Sequence, residues 1–353
     1  MFKHAFAALV ALTGLSTAAA AQAPAPTSPP SCPTPKVAGE KVDLKEVPGT
    51  NLVTVPVQIN GAPKQFLLDI GANPDEVAQT TVADLHLPAF DQNIASDVFA
   101  DQKANFALNA AVVDVKSART ESHPVGQDFV RVASFSIAGA TAPNLQLPVA
   151  NDRDMGKSEP YDGRFTGTLF AQYDINFDFG GMQLSFMDAT SCTDPNQVAF
   201  WPHTVVATIP MTMEKGKMTV PVTIQGHVIN AVVDMGSDHT VMRRAVAEDM
   251  LGLGGKDMTA DGDREDGMGL QIYVHTFPQI SFGGVTAVNV PARIQSNSMV
   301  HPIHREPTLG SRATFAADPA SRIPDLAIGM DVLRQLHIYG AFNENKLYVT
   351  AAK

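Results

Sequence analysis

One short pattern occurs twice in this chain, and each copy ends on an aspartate. Thr54-Val-Pro-Val-Gln-Ile-Asn-Gly61 leads into Phe66-Leu-Leu-Asp69-Ile-Gly-Ala72, and Thr219-Val-Pro-Val-Thr-Ile-Gln-Gly226 leads into Ala231-Val-Val-Asp234-Met-Gly-Ser237. The copies align without a gap at a constant separation of 165 positions, from Thr54 to Thr219 and from Asp69 to Asp234. A repeat this long marks two copies of one structural unit. Equivalent units pack about a pseudo-twofold axis, as identical subunits do. That packing would draw Asp69 and Asp234 towards one point, where two carboxylates sharing a proton form an acid–base pair able to activate water.

The pattern inside each copy is that of strands. Val53, Val55, Val57 and Ile59 alternate with less apolar neighbours, which is strand periodicity. Asn60-Gly61 is a strong hairpin signal, and Gln225-Gly226 holds the same place in the second copy. A second apolar run then ends at the aspartate, with a glycine two residues on that lets the backbone bend. Short helical stretches are expected near Thr80–Leu85 and Thr240–Leu251. The far ends of the copies also correspond: Phe165-Thr-Gly167 with Ala327-Ile-Gly329, and Asp174–Phe179 with His337–Phe342. The sections 91–128 and 254–270 read as polar loops, and 296–324 as an insertion confined to the second copy.

The chain has 353 residues, too many for one ordinary core and suited to two domains. Hydrophobic residues make up 44% and charged residues 17%, a globular composition. A formal net charge of −11 argues against nucleic acid or an anionic membrane surface as a main partner. Lys3 and His4 precede an apolar run, Ala5 to Leu12, and then small residues with Ala-x-Ala sites. This is the grammar of a cleaved secretory signal over 1–21, and the run is too short to span a membrane. A Pro/Ala-rich leader follows over 22–39, then lobes over 40–195 and 200–353. The expected protein is exported, periplasmic or secreted, with no membrane span after cleavage. Its two cysteines, Cys32 and Cys192, are then a disulfide candidate.

Strand, Asp-x-Gly-(Ala/Ser) and a later hydrophobic-hydrophobic-Gly resemble the aspartic protease fold in its retropepsin-like form. Ala327-Ile-Gly329-Met-Asp-Val-Leu resembles the family's downstream motif closely, and Phe165-Thr-Gly167 more loosely. The resemblance implies a mainly β protein of two homologous pepsin/retropepsin-like lobes related by a pseudo-twofold axis, with few short helices. It is similar to exported bacterial enzymes of this kind with both lobes in one chain. By the resemblance Asp69 and Asp234 form the catalytic dyad. Ile70, Gly71 and Ala72 form one active-site turn and Met235, Gly236 and Ser237 the other. Gly167 and Gly329 support them, and a flap from a middle section covers the cleft. The implied activity is endopeptidase cleavage of an extended peptide or protein, with apolar pockets flanking the scissile bond, by a monomer needing no metal and no cofactor.

One departure stands out. The family carries Thr or Ser where this chain has Ile70 and Met235, and in the family that hydroxyl bonds across to the opposite lobe. Ile and Met offer no such bond. Either apolar contact replaces the lock, or the chain is a catalytically weak or inactive peptide-binding protein on the same scaffold. Ser237, unlike Ala72, has a hydroxyl to offer its neighbouring aspartate. Other motifs carry less. Asp261–Gly267 has a calcium-loop flavour but lacks the bidentate Glu. His301 and His304 have no third ligand nearby, and His239 reads as a surface or helix-entry residue. Trp201 is expected at the lobe junction.

Overall fold

Each aspartate is delivered by a tight hairpin. Strand Val53–Ile59 turns at Asn60-Gly61 into strand Ala62–Leu68, and strand Lys217–Ile224 turns at Gln225-Gly226 into strand His227–Val233. All four turn residues have positive φ (52°, 80°, 49° and 83°), the condition for the hairpin turn whose twist matches its strands. Val53, Val55, Val57 and Ile59 are all buried, so the alternation read from sequence is the core face of the strand. The computed structural model describes residues 32–70, 75–91, 104–108, 111–115, 128–150, 160–167, 173–188, 192, 194–214, 217–266, 269–296 and 324–353.

The protein is mainly β, with few short helices. A 10-stranded sheet holds the first hairpin and an 8-stranded sheet the second. In each, the strand ending at the aspartate pairs in parallel with a short later strand: Ala62–Leu68 with Gly163–Phe165, and His227–Val233 with Leu326–Ile328. That short strand pairs antiparallel on its other side with Glu76–Val77 or Thr240–Arg243. A long hairpin, Asp128–Ile137 with Ala140–Pro148 or Gln271–Phe282 with Val285–Gln295, completes each lobe. These elements around each aspartate therefore share one topology.

A 6-stranded sheet joins the lobes. At its centre strand Asp174–Asp178 runs antiparallel to Leu336–Ala341, pairing Ile175 with Gly340, Asn176 with Tyr339 and Phe177 with Ile338. The terminal segments of the copies are 163 positions apart. The pair Asn176–Tyr339 therefore maps onto itself, and the pseudo-twofold axis passes through it. Around this point Asp174 is buried and accepts from the Tyr339 hydroxyl (3.1 Å) and the Phe342 N–H (3.1 Å). That hydrogen bond, with burial as the larger cause, pushes the Tyr339 phenol upward. Trp201 stacks on His337 at 3.9 Å and donates to Thr350 at 2.9 Å, which puts it on the sheet shared by both lobes. Burial pushes the His337 imidazole down to about 4, so a neutral ring meets the indole.

Several expectations are revised here. Within 91–128, Ala104–Leu108 and Ala111–Val115 form a hairpin, because Ala111-Val-Val-Asp-Val115 has strand character despite its polar surroundings. Within 254–270, Thr259–Glu265 is a strand on Gln271–Phe282. Its side chains are mostly exposed, so it lacks the alternation by which strands are recognised. Gln79–Asp84 is helical as expected, but Thr240–Arg243 is a strand and the helical turns span only 244–250. Thr-Val-Met suits a pleated, half-buried surface. Val37 already pairs with Met187, so the sheet begins inside the stretch expected as leader. The signal segment and nearly all of the 296–324 insertion, with His301 and His304, lie outside the described residues.

Cys32 and Cys192 are disulfide-bonded, with Cα atoms 5.3 Å apart and 160 positions between them. Cross-linking a loop this long removes denatured-state entropy equivalent to about 4–5 kcal/mol in the chain-entropy model. Cys32→Ser with Cys192→Ser is expected to lose on the order of 3–5 kcal/mol in urea unfolding. Alkylation of the native, unreduced protein should label neither cysteine; labelling of both would refute the bond.

Candidate active site

The two aspartates occupy equivalent places. The Asp69 N–H donates to the Phe165 carbonyl at 2.9 Å and the Asp234 N–H to the Ile328 carbonyl at 3.0 Å. Each aspartate thus leaves the end of its strand still held by the short parallel strand beside it. This register corrects the sequence alignment of the downstream motifs. Phe165 corresponds to Ile328, so Thr166, and not Gly167, corresponds to Gly329. The surroundings agree, because the Thr166 N–H donates to Asp75 (2.7 Å) and the Gly329 N–H to Thr240 Oγ1 (3.2 Å). Asp75 and Thr240 are 165 positions apart.

The first lobe's aspartate reaches into the second lobe's turn. A Cβ placed on Gly236 would overlap the Asp69 carboxylate, lying 2.7 Å from Oδ2 and closer still to Oδ1 and Cγ. No other residue fits at Gly236 without moving Asp69. The Gly236 N–H favours the ionised forms of both Asp69 and Asp234. Nearby contacts cross the same seam. The Asn51 N–H donates to Asp238 Oδ1 at 2.5 Å and the Asn51 side chain to the Asp238 carbonyl at 3.1 Å. Glu46 pairs with Arg334.

The two carboxyls are unequal. Asp69 is 6% exposed, while Asp234 is half-buried. Burial, and then the neighbouring Asp234 charge, push Asp69 up to about 7, against a smaller opposing pull from Arg164. Burial also raises Asp234, opposed by Lys217 and by the N–H groups of Gly236 and Ser237. Of the pair, Asp69 has fewer groups favouring its ionised form and is the better home for a shared proton. Asp234, nearer to solvent and with more groups favouring its ionised form, is the better base.

The remaining turn residues fall into place unevenly. Ile70 and Met235 are both buried in the main core. The Ile70 Cδ1 lies 2.8 Å from where a Cβ on Gly167 would sit, and Gly167 has φ +78°, so Gly167 makes room for Ile70. Gly329 lets the backbone of His239 and Thr240 approach, since a Cβ there would meet Thr240 N at 2.8 Å. The Ser237 hydroxyl donates to the His239 carbonyl at 2.7 Å rather than to Asp234; its backbone N–H donates to the Asp234 main-chain carbonyl at 3.4 Å. Gly71 and Ala72 lie outside the described residues. His239 contacts Asp238 at 3.0 Å. The carboxylates of Asp261 and Asp266 serve Arg293 (2.9 Å), Leu270 N–H (3.0 Å) and Ser296 N–H (2.9 Å).

Sequence reasoning missed Arg164, Glu76 and Lys217. Arg164 lies inside the downstream motif itself, where its lobe-two counterpart is Ala327. Comparing the copies position by position at the corrected register would have singled it out.

Comparison with known proteins follows the same lines. A family model described as aspartyl protease matches residues 220–332, the stretch that carries Asp234, Gly236 and Gly329. Among solved structures the chain is similar to conglutin gamma, a basic 7S globulin from lupine seeds, at 12% identity and a TM-score of 0.46, covering 89% of this chain and 95% of that one. It is also similar to basic 7S globulin from soybean at 11% identity and a TM-score of 0.44, again covering 89% and 95%. No curated protein matches the chain.

Two outcomes follow for the carboxyl pair. Gly236→Ala is expected to displace Asp69 and lower any turnover ~100-fold or more, measured as kcat on the mature protein. Asp69 keeps its proton in the folded state up to about 7, whereas the unfolded chain loses it near 3.9. Its contribution to stability is therefore full below about 4 and is lost as pH rises through about 7. Asp69→Asn should raise the melting temperature at pH 8 and leave it nearly unchanged at pH 4; equal shifts at both would refute the raised pKa.

Proposed function

We propose that the protein is an exported aspartic endopeptidase acting through Asp69 and Asp234. The observation that carries this reading is the seat of the Asp69 carboxylate on Gly236, two residues beyond Asp234, which makes the two acids one site. In this reading Asp234 is ionised and takes a proton from a water held between the carboxyls. Asp69 is protonated and donates to the peptide carbonyl as the water oxygen adds. The tetrahedral intermediate collapses as the amine leaves with a proton from the pair. An extended chain of a peptide or protein lies across the cleft, and the enzyme works as a monomer. The aspartyl protease match over the second lobe supports the scaffold. The disulfide supports an oxidising compartment, and hence export to a periplasmic or secreted location.

A second reading, a peptide-binding protein with little turnover, is favoured by Ile70 and Met235, which bury apolar side chains where a hydroxyl lock would stand. Incubating the mature protein with an unfolded protein mixture from pH 3 to 8 separates the two. The endopeptidase reading expects cleavage that declines above about pH 7 as Asp69 ionises.

Asp69→Asn and Asp234→Asn should each abolish cleavage without unfolding the chain, since a shared-proton site needs both carboxyls. Wild-type turnover in either variant would sink the dyad. For the lock, Ile70→Thr and Met235→Thr should each help little alone, because a single buried hydroxyl without a partner costs ~1–3 kcal/mol. If the two side chains meet, the double variant should exceed the product of the single effects, since coupling of that kind belongs to residues in contact. Strict additivity in turnover and in thermal melts would show that they do not meet.

A further inference from the structure

The face of the first lobe that carries Asp69 also carries charge that the second lobe lacks. In the ladder beside the dyad, Arg164 pairs with Leu67 on one side and with Glu76 on the other. Paired residues on adjacent strands project to the same face, and alternate residues of one strand share a face. Leu67 and Asp69 are alternate, and Asp69 is still tied to this ladder through its N–H. Arg164, Glu76 and Asp69 therefore share one face. The equivalent second-lobe ladder reads Val232, Ala327 and Val241, all uncharged. The fold thus accommodates an apolar residue at this place, and the cation is a feature of this site alone.

We infer that Arg164 forms an anionic-substrate subsite beside the dyad, which selects a carboxylate of the peptide next to the scissile bond. The inference rests on the endopeptidase reading for its chemistry but not for its geometry. Arg164 is half-buried, and its charge reaches both Asp69 and Asp234, so it lies within the range at which a bound peptide would meet it. A partly desolvated guanidinium is well suited to planar, two-pronged capture of a carboxylate. Lys217, an exposed cation of the second lobe whose charge also acts on Asp234, adds positive potential. Glu76, opposite Arg164, disfavours a second acid and would limit the subsite to one carboxylate. A site whose proton is held to about pH 7 would work where a substrate glutamate, with an ordinary pKa of about 4.3, is ionised. The carboxylate has two possible sources, an Asp or Glu side chain or a free C-terminus.

Terminally blocked peptides differing only in Glu, Gln, Leu or Lys beside the cleavage point, and the same peptides with a free C-terminus, distinguish these. The mature wild-type protein is expected to cleave the blocked Glu peptide about 10–100-fold faster in kcat/KM than the Gln peptide, the worth of one charge-assisted contact. Arg164→Met should erase that ratio, and Arg164→Glu should favour the Lys peptide. Preference for the free C-terminus alone would assign the subsite to a terminal carboxylate. Equal wild-type rates on Glu and Leu peptides, or a uniform loss on all peptides in Arg164→Met, would overturn the inference and leave Arg164 a structural partner of Glu76. If the wild type cleaves nothing, calorimetric titration of the same peptides decides. Arg164-dependent binding of the Glu peptide keeps the subsite while the endopeptidase reading falls, and binding without preference overturns both.

Discussion

The contact between the Asp69 carboxylate and the Gly236 backbone is the constraint around which the two lobes are arranged. A Cβ at Gly236 would overlap the Asp69 carboxylate, so the acid of one lobe lies directly against the backbone of the other. So close an approach needs the lobes fixed to within a fraction of an ångström. The six-stranded sheet provides the fixing, with its axis at Asn176–Tyr339 and the buried Asp174 holding both a tyrosine hydroxyl and a backbone N–H across the seam. The ladder between the lobes is thus part of the site, though it carries none of the reacting atoms.

Two identical halves would carry two identical acids, and a symmetric pair gives no reason for the proton to sit on one of them. Here the two lobes differ in side chains around similar strand pairings. Arg164 and Glu76 stand where the second lobe has Ala327 and Val241, and Lys217 stands where the first has Leu52. Asp75 accepts the Thr166 N–H where Thr240 accepts that of Gly329. These changes leave strand pairing untouched, because backbone groups make the ladder. They alter the field at the two carboxyls, with Arg164 and Glu76 acting on Asp69 and Lys217 and Arg164 acting on Asp234.

The repeat made the lobes, their hairpins and both aspartates legible from sequence, because each depends on local signals: alternation at Val53–Ile59, positive φ at Asn60-Gly61, a glycine after the acid. What stayed hidden depends on register or on exposure. Gly167 and Gly329 look equivalent as letters, yet Phe165 and Ile328 are the residues that hold the aspartates, and a one-residue slip follows. Strand Thr259–Glu265 has no apolar face and so no period. The Arg164 position becomes informative only once the parallel ladder places it on the face of Asp69.

The missing hydroxyls at Ile70 and Met235 pose the remaining structural question of how the turns stay rigid. In the second lobe the burden has moved to neighbouring groups. Met330 N–H donates to the Ser237 carbonyl at 2.8 Å, and the Ser237 hydroxyl donates to His239 at 2.7 Å. Thr240 binds Asp331 through its N–H (2.9 and 3.0 Å) and its hydroxyl (2.7 Å), while receiving the Gly329 N–H. This network closes within one lobe, and the two Asn51 bonds to Asp238 brace the same turn from the other. In the first lobe Ile70 packs against Gly167, and beside it the Thr166 N–H donates to Asp75 at 2.7 Å. From that lobe the Asp69 carboxylate crosses to the Gly236 backbone, within the turn that the Ser237 and Thr240 bonds hold.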